Sequence, residues 1–141
     1  IYNDQWMMER GFLDVKTFKD IISGRPGMQK LVTINDEKTV ADAVELMKRY
    51  DIEHIPVMKN DEIVGAITEG GLFQKVFGNA DIKNEKIADV LEPAFPLVDF
   101  NISVEKLKTL ITKENGAVMS KDDAGIYHIV TKYDVIQALG V

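Results

Sequence analysis

Apolar residues fall at helical spacing in two matching stretches, Val40, Ala43, Val44 and Met47, then Val104, Leu107, Leu110 and Ile111. Each stretch follows a hydroxyl residue suited to an N-cap, Thr39 or Ser103. Next come two short apolar runs, Ile55–Met58 and Gly116–Met119, long enough only for buried strands. Polar turns follow at 59–61 and 121–123, and second strands are expected over 62–67 and 126–130. Thr68 and Thr131 then introduce helices over 69–77 and 132–139, ended by Gly78 and Gly140. With first strands at Leu31–Ile34 and Leu97–Val98, each half reads strand, helix, strand, strand, helix. The pattern predicts an α/β fold, an α+β sandwich of two pseudo-symmetric β-α-β-β-α repeats packed together. A half of this size would be marginal alone, and two together bury a shared face.

The expected boundaries are 1–28 for an N-terminal helical segment, 29–80 for the first repeat, 81–92 for a charged linker and 93–141 for the second. A short helix ended by Pro93 is expected in the linker. Residues 3–13 read as another short helix, with Trp6, Met7 and Phe12 either packing locally or tethering a further domain. Residues 23–27 carry turn chemistry. The chain begins on Ile1, which suggests a fragment whose upstream part is missing.

Composition narrows the classes. The chain has 141 residues, 45% hydrophobic and 28% charged, which favours neither disorder nor a membrane protein. A net charge of -6 has the wrong sign for a general nucleic-acid binder. The absence of cysteine excludes disulfides and thiolate metal sites and fits a cytoplasmic protein. Neither His54 nor His128 has a partner at metal-ligand spacing, and no nucleophile–base pair is visible, so catalysis and a metal are not expected.

The tandem units, with Pro56-Val57-Met58 in the first and Gly65-Ala-Ile-Thr68 and His128-Ile-Val-Thr-Lys-Tyr-Asp134 closing the two halves, resemble a pair of CBS domains. Residues 87–98 are similar to the usual lead-in to a second such repeat. Residues 4–13, DQWMMERGFL, resemble the segment that precedes the regulatory CBS pair in pyridoxal-phosphate-dependent cystathionine β-synthases. The resemblance implies the regulatory region of such an enzyme, with an upstream catalytic domain that would hold pyridoxal phosphate (PLP). It further implies a homodimer, and a regulatory adenosyl ligand, S-adenosylmethionine or AMP/ATP, bound in clefts between repeats. No cofactor is expected in this stretch itself, and neither a nucleic-acid nor a membrane partner.

Carried over by position, the resemblance assigns the ligand to Thr131, Tyr133 and Asp134, with Leu31, Val32, Thr33, Ile52, His54 and Ile55 as adenine walls. One carboxylate can accept both hydroxyls of a vicinal diol, which suits Asp134 to a ribose. Arg49 and Lys132 are further candidates for charged groups of the ligand. A second, weaker cleft would use Thr68, Gly71, Phe95, Pro96, Leu97 and Val118. There Gly71 stands where the acid would be, so one competent site is expected. Two readings of Thr131-x-x-Asp134 stay open, a ligand acid and a plain capping box. A ligand-free oligomerisation module is the competing function.

Overall fold

The computed structural model describes residues 16–24, 31–113 and 115–139. The segment resembling the synthase lead-in, the 3–13 helix and the closing Gly140 lie outside those residues. The described residues form two compact units, one within Val32–Phe95 and the other within Pro96–Val141 together with Ile1–Leu31. The helices in chain order are α1 (Phe18–Ser23), α2 (Val40–Tyr50), α3 (Glu69–Val76), α4 (Val104–Leu110) and α5 (Lys132–Ala138).

In the first unit, β1 (Ile34–Asn35) runs parallel to β2 (His54–Lys59), which pairs antiparallel with β3 (Glu62–Thr68). The β2–β3 turn is made by Asn60 and Asp61, both at positive φ (52° and 66°), the twist that a two-residue hairpin requires. Thr39 caps α2 by accepting from the Asp42 N–H, and Asp42 accepts in return from the Thr39 N–H. The apolar stripe of α2 (Val40, Ala43, Met47) packs with Ile34, Ile55, Val57 and Ile67. Fully burying a valine, isoleucine or methionine side chain stabilises the fold by about 1.5–3 kcal/mol.

The stretch expected to be a linker with one short helix instead forms two 3₁₀ turns, Ile82–Asn84 and Ile87–Asp89. It is stitched into the first unit. The Ile87 N–H donates to Lys38 O (2.8 Å) and the Ala88 N–H to Asp36 O (2.9 Å), while the Ile87 side chain is fully buried. Glu92 and Ala66 exchange both backbone hydrogen bonds, extending the β3 edge.

The second unit repeats the topology: β4 (Leu97–Val98) parallel to β5 (Ala117–Lys121), and β5 antiparallel to β6 (Tyr127–Thr131). Its core gathers Leu107, Val118 and Val130. Phe18 and Ile21 of α1 join that core, with Phe18 fully buried. The Phe18 N–H donates to Ile102 O (2.9 Å) and the Val104 N–H to Lys16 O (2.8 Å), so α1 adds a layer absent from the first unit. Its sequence signal is Thr17-x-x-Asp20 ahead of an apolar pair, another reciprocal capping box. Buried Ser120 is satisfied by donating to Val98 O (2.6 Å).

Candidate functional site: two threonine-headed helix starts

Thr131 ends β6 and caps α5. Its hydroxyl accepts from the Asp134 N–H (3.4 Å). Its own N–H and hydroxyl both donate to Asp134 Oδ2, at 2.9 and 3.0 Å. Asp134 is therefore held in a capping box and only half-buried, while Tyr133 beside it is 64% exposed. Lys132 is exposed, and its N–H donates to Gly116 O (3.3 Å). Val118, one residue along β5 from the Ala117–Thr131 pair, is fully buried. Leu97 is 60% exposed, Pro96 accepts from the Met119 N–H (2.8 Å) through its carbonyl, and Leu31 is half-buried.

The first unit builds the same corner differently. Thr68 ends β3, caps α3 and accepts from the Gly71 N–H (3.0 Å). The carboxylate opposite it comes from Glu92, 24 residues away in the chain. The Thr68 N–H donates to Glu92 Oε2 and the Thr68 hydroxyl to Glu92 Oε1, each at 2.7 Å. The acid expected to be missing from this half is thus present, delivered by another segment. It explains Gly71: a Cβ there would lie 2.5 Å from the Glu92 carboxylate. Gly65 has a related cause, because a Cβ on it would meet Glu92 O and Leu91 Cδ2, both at 2.8 Å. Gly70, with nothing within 4 Å, has no such explanation.

His54 lies opposite Thr68 in the β2–β3 register, and its ring meets Phe95 edge-on, centroids 5.8 Å apart. His54, Thr68, Gly71 and Phe95, drawn from both expected residue sets, therefore line one corner of the first unit with Glu92. Fully buried Ile55 and half-buried Ile52 back it, with Val32 half-buried and Thr33 exposed ahead of β1. Arg49 sits on the exposed face of α2, paired with Glu45. Sequence reasoning missed Glu92. The available signal was the pair of glycines at 65 and 71, which mark backbone approached closely by another part of the chain.

Elsewhere in the second unit, Asp122 organises the β5–β6 turn. Its Oδ1 accepts from the Ala124 and Ile126 N–H groups (both 2.9 Å), and His128 Nε2 lies 2.9 Å from its Oδ2. The hydrogen bond with His128, then that from Ile126, holds the Asp122 carboxyl below its ordinary 3.8. Among the described residues there is no cluster of three His, Cys, Asp or Glu able to hold a metal, and no helix is long and apolar enough to cross a membrane.

Two three-stranded sheets of identical order, each closed by a threonine-capped helix, define a tandem CBS architecture. Residues 19–78 match the CBS domain family model. It is similar to a cystathionine beta-synthase of Dictyostelium discoideum, 24% identical over 97% of this chain. The chain spans only 30% of the length of that curated relative. Among solved structures, a CBS-domain containing protein from Agrobacterium tumefaciens superposes with a TM-score of 0.78 at 18% identity, over 88% of this chain and 93% of that one. The CBS domain of a bacterial CNNM/CorC family Mg2+ transporter, solved in complex with ATP, gives a TM-score of 0.71 at 22% identity, over 98% of both chains.

Proposed function

We propose that this chain is the regulatory module of a cystathionine β-synthase-like enzyme, that it binds one adenosyl ligand, and that Asp134 accepts the ribose hydroxyls. The domain plan of residues 1–28, 29–80, 81–92 and 93–141, with PLP held by an upstream catalytic domain, belongs to the same proposal. So do a homodimeric assembly and a cytoplasmic setting. The observation that carries the reading is the Thr131–Asp134 corner: a carboxylate fixed at two points and still partly open to solvent. A fixed carboxylate costs little ordering entropy when a diol binds. The ATP complex of a protein with this fold supports an adenine ligand. The match across 97% of the chain to a cystathionine beta-synthase favours S-adenosylmethionine, with AMP and ATP next. Regulation follows if the ligand binds one arrangement of the parent protein more tightly than another.

Calorimetric titration with S-adenosylmethionine, AMP and ATP tests the reading. Saturable heat from one of them is expected, and silence from all three sinks it. Asp134→Ala should weaken binding by about 30- to 1,000-fold, the loss of charged hydrogen bonds worth about 2–4 kcal/mol.

An interaction module is the second reading, and one observation favours it. Phe73 of α3 and Phe77, the residue capping its C-terminus, meet edge-on (5.1 Å between centroids) yet stay 64% and 77% exposed, with Val76 beside them. Light scattering of Phe73→Ser/Phe77→Ser against the wild type decides whether that face holds copies together.

A further inference from the structure

Among the described residues, four helices start on threonine, and three of these take their acid from their own third residue: Asp20, Asp42 and Asp134. The fourth, α3, takes it from elsewhere. The segment that supplies Glu92 is gripped at both ends of α3. Lys75, near the helix C-terminus, donates through Nζ to Val90 O (3.0 Å), while Thr68 at the start holds the Glu92 carboxylate through two 2.7 Å bonds. Between these points Leu91 lies against Gly65, and Glu92 exchanges backbone hydrogen bonds with Ala66.

An acid within the helix would cap it whether or not residues 90–92 were docked. An acid from the segment makes each depend on the other. With Glu92 withdrawn, the Thr68 N–H and hydroxyl lose their acceptor, and Gly70-Gly71 leaves the first turn poor in helix propensity. With the first turn frayed, Glu92 loses the donors that hold its side chain. We propose that Glu92 is a latch, making the start of α3 and the docking of residues 90–92 a single two-state element. The latched residues stand just ahead of Phe95–Pro96, where the chain passes from one compact unit to the other. An element of this kind is what a conformational signal needs in order to be all-or-none. The proposal stands on the first unit alone and is independent of whether any adenosyl ligand binds.

The test compares wild type, Glu92→Ala, Gly71→Asp and the double variant, by thermal midpoint and by hydrogen exchange at the amides of Ala66 and Glu92. Glu92→Ala should lower the midpoint by about 5 °C or more. Gly71→Asp alone should also lower it, because the new side chain enters the space of the Glu92 carboxylate. The double variant gives α3 an aspartate at its own third position, three residues after Thr68, the same box seen at Thr131-x-x-Asp134. It should recover most of the midpoint while exchange at Ala66 and Glu92 stays at least about tenfold faster than wild type. Failure to recover would overturn the claim that Glu92 stands in for an acid at position 71. Recovery with wild-type exchange would overturn the latch. Should Glu92→Ala not fold, Glu92→Gln replaces it: the amide keeps one acceptor oxygen, so a smaller midpoint loss and the same exchange pattern are expected, and unchanged exchange again overturns the latch.

Discussion

The starts of α3 and α5 are the same corner built twice. Each has a threonine at the end of a strand, a helix beginning beside it, and a carboxylate accepting both threonine donors. They differ in where the carboxylate comes from. Asp134 belongs to the helix it caps, and both threonine donors converge on one of its oxygens. Glu92 arrives from another segment and spends one oxygen on each donor. A repeat can thus preserve a chemical arrangement in space while losing it in the alignment. A glycine in one copy against an acid in the other does not mean an empty position.

The largest expected break in this comparison is at Gly65. A methyl group there meets the backbone carbonyl of Glu92 as well as Leu91, and backbone cannot swing aside. Gly65→Ala should destabilise the chain by about 2–3 kcal/mol in denaturant unfolding, as overpacking does. Thr68→Ala comes next. It removes the N-cap acceptor and one of the two bonds to Glu92, at a cost of about 2 kcal/mol. Thr131→Ala should cost about 1 kcal/mol, because the two bonds its hydroxyl makes are longer, 3.0 Å to Asp134 Oδ2 and 3.4 Å from the Asp134 N–H. Gly70→Ala reverses the sign: with open space around the position, it should stabilise by about 0.5–1 kcal/mol through helix propensity. If Gly65→Ala proves as mild as Gly70→Ala, the close approach of residues 91–92 is not what the glycines serve.

Acid acts more gently, and on both units. The Lys16 and Thr17 hydrogen bonds hold Asp20 below 3.8, those from Thr39 do the same for Asp42, and His128 with two turn amides does so for Asp122. A lowered folded-state pKa contributes stability that is present above the unfolded value and lost as pH falls through the folded one. That loss therefore begins near pH 3.8 and grows below it. Asp20 and Asp122 lie in the second unit and Asp42 in the first, so exchange measured down a pH series should quicken in both units below about pH 3.8.

The architecture was legible because its signals are local. Short apolar runs bounded by polar turns marked the strand pairs, and the hydroxyl caps Thr39 and Thr131 marked helix starts to the residue. The first strand is shorter than its apolar run, Ile34–Asn35 rather than from Leu31, because pairing with β2 spans only two residues. α1 lies inside a stretch that reads as a tether, although its own box at Thr17-x-x-Asp20 is visible in the sequence. Glu92 was illegible for a physical reason. Leu91-Glu92-Pro93 looks like solvated linker until Ala66 and Lys75 are known to hold it, and no periodicity reaches across 24 residues. The glycines recorded its arrival without naming it.

The most direct discriminator between the two corners is a side-by-side calorimetric titration of wild type, Asp134→Asn and Glu92→Gln with S-adenosylmethionine. Asparagine keeps an acceptor for the Thr131 donors but removes the charge, so the helix start survives and the diol acceptor weakens. Saturable binding to the wild type near one equivalent per chain is expected, with a loss for Asp134→Asn at least about tenfold larger than for Glu92→Gln. Equal affinity in all three chains, or the larger loss at Glu92, would refute the assignment of the ribose to Asp134.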